Sequence, residues 1–392
     1  MTDIDAESAG DVQKRLPIIE NWQAHIRDDP RSETHEYPMY TDVHLTSEVR
    51  GGLGPYAFLN ALPRPEAAGT VQTGFFFRCA FHWGYPFRGG GLKTDETNYH
   101  GGWLHDEASA LASLILGARV RAGEHSRSFG ALNDDPMGSP RANSNSPPSL
   151  SLTHRRLVVP SASEARCLDE LSMLPLLLKL TPEHSVALLR AARLYQDALW
   201  IVESEPELAW VMLVSALETG ALAWHQQDLT STEILKGARP DFADELLGKG
   251  EDVLTLVANE VADLFRATSK FQRFCLDFLP EAPLLRPHDY QRVKWTKSNW
   301  KRVLGTVYGY RSRALHSGIP FPRPMCDPPE IHGIDAVPGE KGTDALAVRT
   351  QGANWNADAL PVSLNTFAQL AQRILLAWWR AMAAEAPGTA VD

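Results

Sequence analysis

The sequence predicts an α+β N-terminal domain followed by an all-α helical bundle. Three observations carry that prediction. The first third holds short aromatic or β-branched runs bounded by glycine and proline clusters, the pattern of strands and turns. Asn133 to Ser151 is dominated by Pro, Ser, Asn and Gly, so it cannot bury enough apolar surface to offset its ordering entropy. From Leu168 onward, apolar residues recur with the helical period. The implied division is an α+β domain over residues 1–133, a linker over 134–152 and a helical domain over 153–392.

Val43-His44-Leu45 and Thr73 to Phe81 are the strand candidates of the first domain, set among clusters such as Gly51 to Pro55 and Gly89 to Gly91. Asp106 to Val120 reads as one amphipathic helix, with Leu111, Leu114, Ile115 and Ala118 in register and two acids at its N-terminus. In the second domain, Pro182 behind a Thr181 cap opens a helix to Leu199, and Pro206 opens another to His225. A less regular segment with Gly237, Pro240 and Gly248 precedes a helix from Glu251 to Leu279. A further helix starts near Tyr290 and closes at Gly318, before Pro320, Pro322 and Pro324. After a Pro/Gly-rich loop, Ser363 to Met382 forms the last helix. Five helices with mostly short connections read as a bundle, antiparallel in its first part.

At 392 residues the chain is long enough for two or three domains with real cores. Its net charge of −10 argues against a general coat of positive charge, although a local basic face survives such averaging. Cys79, Cys167, Cys275 and Cys326 are scattered without a CxxC pair, which fits a reducing cytosol. The acidic start MTDIDAESAGDVQKR is not a signal peptide, and no apolar run nears the ~20 residues of a membrane span. A soluble, cytoplasmic protein without membrane contact is expected.

The stretch Tyr308 to Gly318 concentrates the chemistry. It places Arg311, the polar Ser312, three further positions and then His316 in the last turns of a helix. This arginine–x4–histidine spacing, with Tyr310 before it and a multi-helix bundle around it, resembles the HEPN superfamily. The helix Ala209 to Ala223, with Ser215-Ala216-Leu217-Glu218, is similar to the second helix of the ApeA-like branch. The resemblance covers about residues 165–385. It implies a metal-independent, cofactor-free endoribonuclease acting as a homodimer, in the setting of a regulated toxin or an anti-phage defence effector. Two protomers would line one composite cleft with their Arg/His pairs. Arg311 would hold the scissile phosphate and His316 would transfer the proton; the N-terminal domain would regulate through a ligand or partner.

The chemistry demands those residue types whatever the family. RNA cleavage by its own 2′-hydroxyl needs one proton removed, one delivered to the leaving 5′-oxygen, and charge neutralised on the phosphorane. Histidine, with an ordinary pKa of about 6.5, serves either transfer near neutrality. Arginine supplies planar, permanently charged donors for the non-bridging oxygens. At i and i+5 the two side chains lie about 140° apart on an ideal helix. Pairing across a two-fold axis, or fraying after Leu315, would bring such groups together. Arg286, Arg292, Lys294, Lys297, Lys301, Arg302, Arg311, Arg313 and Arg323 face only Asp289 within their own segment. Trp295, Trp300, Tyr308 and Tyr310 are interleaved, a combination suited to looped or single-stranded RNA. Ser312, Arg313, Tyr310, Arg302 and Lys301 are therefore the candidate substrate contacts, with Glu218 in support.

Blander assignments exist for each feature. Cations complement the macrodipole at any helix C-terminus. Arg313 can be a solvated surface charge, Glu218 an ordinary ion-pair partner, and Tyr308 and Tyr310 core or interface aromatics. A second functional class is a non-catalytic HEPN module that binds RNA or a protein. His82, His100, His105 and His125, near Asp106 and Glu107, match no standard zinc spacing and read as solvated or hydrogen-bonded histidines. Gly89 to Thr94 lacks the spacing of a phosphate loop. HEPN toxins controlled by nucleotidyltransferase partners carry a tyrosine soon after the histidine; here Ser317-Gly318-Ile319-Pro320 follows instead.

Overall fold

The computed structural model describes residues 16–61, 69–82, 94–130, 136–142, 146–224, 229–331, 337–342, 347–350 and 352–385. The acidic N-terminal stretch, the Gly89 to Lys93 run, parts of the expected linker and His225 lie outside the described residues.

A sheet region comes first and a mostly helical part follows, as expected. The sheet is built from β1 (Glu33–Thr41), β3 (Tyr56–Asn60), β4 (Gln72–Phe81), β6 (Arg127–Gly130) and β7 (Ser139–Pro140), in the order β3-β4-β1-β6-β7, with β5 (Arg121–Ala122) also pairing β1. These pairings are all antiparallel. β2 (Leu45–Thr46) instead pairs in parallel with β8 (Arg166–Cys167), which ties the sheet region to the start of the helical part. Alternation along β1 and β4 puts Tyr37, Met39, Phe75, Phe77 and Cys79 on the buried face. β7 recruits part of the expected linker into the sheet.

Two helices accompany the sheet: α1 (Pro17–Ile26), which sequence reasoning missed, and α2 (Leu104–Leu116). The N-cap of α1 is Leu16, which has no capping side chain. Its cap comes from α2 instead: the buried Glu107 carboxylate accepts the Ile18 N–H at 2.7 Å and sits 2.7 Å from His100 Nε2. α2 ends four residues before the expected Val120, because Gly117 turns left-handed at φ 61° and Gln372 occupies the space where a Cβ would stand.

A 3₁₀ run over Leu168–Lys179 leads to α3 (Pro182–Ile201) and α4 (Pro206–Ala223). The segment expected to be irregular holds α5 (Ser231–Ala238) and α6 (Pro240–Leu247), which share a small core with the first half of α7 (Glu251–Asp277) through Leu235, Ala243, Leu246, Leu254 and Ala258. α8 spans Lys297–Ser317, α9 is the single turn Arg323–Cys326, β9 (Ala347–Thr350) and β10 (Ala353–Asn356) form a hairpin, and α10 covers Leu364–Glu385. α8 begins later than expected because Val293 is held out of the helix. Its N–H donates to Glu340 Oε2 at 2.7 Å, and its carbonyl accepts from Arg286 Nη2 at 2.6 Å. Thr296 then caps the helix through the Asn299 N–H.

One continuous apolar core runs from Leu16 through the sheet, α2, α3, α4 and α8 to α10, so the expected boundary near residue 153 does not coincide with a break in packing. Crossing it is a fully buried arginine. Arg119 binds Asp42 through Nε and Nη2, the latter at 2.7 Å, reaches Glu203 at 3.3 Å, and also bonds Ser163 Oγ. Glu203, at the end of α3, completes the junction by accepting the Val158 and Val159 N–H groups.

Candidate active site at the end of α8

α8 is anchored by Trp300, Val303, Leu304, Val307 and Tyr310, whose spacing defines a buried stripe. On the helical wheel, Arg311 falls at the edge of that stripe and His316 near the centre of the opposite, solvent face. The helix does not fray after Leu315. It continues to Ser317, where Gly318 adopts φ 64° and the Ile319 N–H closes on the Arg313 carbonyl. Within one chain the guanidinium and the imidazole therefore diverge. Neither lies in a dry core: Arg311 keeps 20 % of its side chain exposed, and His316 is exposed.

Arg311 leans toward α4. Its Nη2 donates to Glu218 Oε2 at 2.6 Å, while the Tyr308 hydroxyl donates to Glu218 Oε1 at 2.9 Å. The guanidinium carbon also lies 5.7 Å from the centre of the Tyr308 ring. Burial, and then the Glu218 carboxylate, push the Tyr308 phenol up to about 12, so it stays a hydrogen-bond donor near neutrality. Arg311 Nε is buried without a hydrogen-bond partner among the described residues. The sequence places Glu218 in support of the motif and reads Tyr308 as an interleaved or core aromatic, not as a partner of Glu218. The available signal was the position of Tyr308 three residues before Arg311, which puts both on one side of the helix.

The other candidates separate into two groups. Lys301, Arg302 and Arg313 are exposed and Ser312 is half-buried, all on the same solvent face as His316. The Arg302 guanidinium donates to Asn299 Oδ1 at 3.2 Å, and the Arg313 guanidinium covers the Tyr310 ring at 4.5 Å. Tyr310 itself is 6 % exposed and donates its hydroxyl to the Ala359 carbonyl at 2.6 Å, so it anchors the helix and offers little surface to a base. Trp300 is fully buried as well. The expected row of aromatic platforms is thus folded into the core, leaving Trp295 and Tyr308 half-exposed.

The basic stretch is also partly neutralised, mostly by acids from outside its own segment. Arg286 pairs with Glu340, Arg311 with Glu218, Arg323 with Asp327 and Glu207, and Arg292 with Asp289. Lys294, Lys297, Lys301, Arg302 and Arg313 remain as exposed cations. Counting charge along the sequence could not anticipate these partners, because most come from distant elements.

In the sheet region the histidines engage one another and their neighbours. His82 bonds His25 at 3.2 Å and the Asp29 carbonyl at 2.7 Å. His105 stacks on Tyr37 and His125 on His35. Among the described residues no group of three His, Cys, Asp or Glu is placed to hold a metal ion, and no helix is long and apolar enough to cross a membrane.

Compared with models of known protein families, with curated proteins and with solved structures, the chain gives no match.

Proposed function

We propose that this protein is a metal-independent HEPN-type endoribonuclease, with Arg311 holding the scissile phosphate and His316 transferring the proton. The observation that carries this is the pairing of an exposed imidazole with a carboxylate-oriented guanidinium on the last turns of a capped helix, beside a face of exposed cations. The N-terminal sheet region regulates the nuclease through a ligand or partner, in a toxin or defence setting. Because the two groups diverge within one chain, catalysis requires two copies, each completing the other's site.

α4 offers a surface for that pairing. Its only charged residues are Glu207 and Glu218, so it is apolar around nearly its whole circumference. Such a helix belongs inside a protein. Yet Leu208 is 51 % and Leu222 75 % exposed, and Val211, Met212, Ser215 and Thr219 are half-exposed on the same arc. Glu218 sits at the edge of this arc and is turned toward Arg311, so a second copy docked here would cover ground next to the motif.

The test uses wild type and the Arg311→Ala and His316→Ala variants, assayed for cleavage of RNA with a chelator present. Each variant is expected to lose about 10²–10⁴-fold in rate, the usual worth of a positioned proton-transfer group. Equal activity in all three removes the assignment. Introducing charge on the α4 arc, as Met212→Glu with Leu222→Glu, is expected to shift the sedimenting species to monomer and abolish cleavage.

One observation favours a second function. The Arg311 charge is already cancelled by Glu218, which suits a module that binds RNA without cutting it. That alternative yields RNA binding that weakens steeply with salt and forms no product.

A further inference from the structure

We propose that Tyr308 is a positioning residue: its hydroxyl fixes the Glu218 carboxylate, and that carboxylate aims the Arg311 guanidinium. The inference rests on Arg311 being the phosphate-binding group. Glu218 has two oxygens, and each has its own partner: Tyr308 on Oε1 and Arg311 on Oε2. A half-exposed carboxylate with one partner can still turn about its terminal bond, and a second bond on the other oxygen removes that freedom. Tyr308 is suited to impose it because its ring is itself held. It packs 5.1 Å from Phe271, a residue buried at the α7 interface.

The consequence falls on the unused donors of Arg311. With Nη2 committed to Glu218 and the planar group lying beside the Tyr308 ring, the fork has one orientation. A guanidinium pre-oriented in this way loses little freedom when an anion arrives. A guanidinium released from Glu218 would have to be ordered by the phosphate itself, and the cost would appear in the transition state.

The experiment compares wild type with Tyr308→Phe, Glu218→Gln and the double variant, alongside Arg311→Ala. Tyr308→Phe keeps the ring and its packing and removes only the hydroxyl. Each single variant is expected to lower kcat about tenfold, the scale of one hydrogen bond to a charged group, with little change in KM. The double variant is expected to fall no further than Glu218→Gln, because Tyr308 acts only through Glu218. Nitrogen NMR of the arginine side chains gives a readout independent of cleavage: one guanidinium with hindered rotation in wild type, assigned by its loss in Arg311→Ala, is expected to rotate freely in both single variants.

Additive losses in the double variant, or a guanidinium signal unaltered by Tyr308→Phe, would overturn the positioning role while leaving the nuclease assignment intact. Undiminished cleavage by Arg311→Ala would overturn the nuclease assignment itself, and with it any role for Tyr308 in the reaction.

Discussion

Arg119 has no exposed surface and two carboxylates within reach, Asp42 and Glu203. Removing one member of a buried ionic group strands the others, which costs about 3–5 kcal/mol. Arg119→Met is therefore expected to shift the urea midpoint sharply downward, by an amount set against the m-value of the wild-type chain. Nothing local in the sequence marks this residue, since its partners lie 77 and 84 positions away. A second residue-level expectation concerns pH. Burial holds His25, His105 and His125 below their ordinary value, with neighbouring imidazoles adding to the effect. The unfolded chain then takes up protons first as pH falls. This contribution to stability is complete above about pH 6.5 and declines below it. The protection factors of amides in β1 and the first turn of α2, taken after correction for the intrinsic pH dependence of exchange, are expected to fall between pH 7 and pH 5.5, and His105→Phe is expected to blunt that change. Arg311 and His316 stand out in the sequence by residue type and spacing. The Tyr308–Glu218 contact does not, since its carboxylate comes from another helix.

Helices were the most readable elements, because a 3.6-residue apolar period over twenty residues leaves few alternatives. α3, α4, α7 and α10 fall within a few residues of their expected limits. Errors arose where tertiary contacts overrode local pattern. Val293 is withheld from α8 by an arginine–glutamate pair, and α1 is capped by a residue 89 positions away. α8 also carries a feature that works against its own stability. Gly309 lies in the helix interior, exposed, with nothing within 4 Å of where a Cβ would be. Glycine there costs up to about 1 kcal/mol relative to alanine. Gly309→Ala is therefore expected to raise the thermal midpoint of the protein, measured calorimetrically, without altering its fold.

At the scale of the whole molecule, composition and pattern separated a sheet region from a helical part but did not reveal how closely they are joined. Linker-like composition between them suggested independence. Instead α2 packs between the sheet and α3, and its face is almost wholly buried. Residues 153–385 expressed alone are expected to remain loosely packed, with weak near-ultraviolet dichroism and strong binding of a hydrophobic dye, because that fragment lacks the cover for α3. The same closure sets the order in which the protein can mature. Gln372 of α10 donates to the carbonyls of Leu114 and Ile115 at the end of α2, across more than 250 residues of chain. While α10 is still inside the ribosome, the tunnel keeps Trp378 and Trp379 from the sites they fill. Until α10 emerges, the nascent polypeptide has its α8 face not yet set in a finished scaffold. A polypeptide arrested before α10 emerges therefore leaves the scaffold around α8 open.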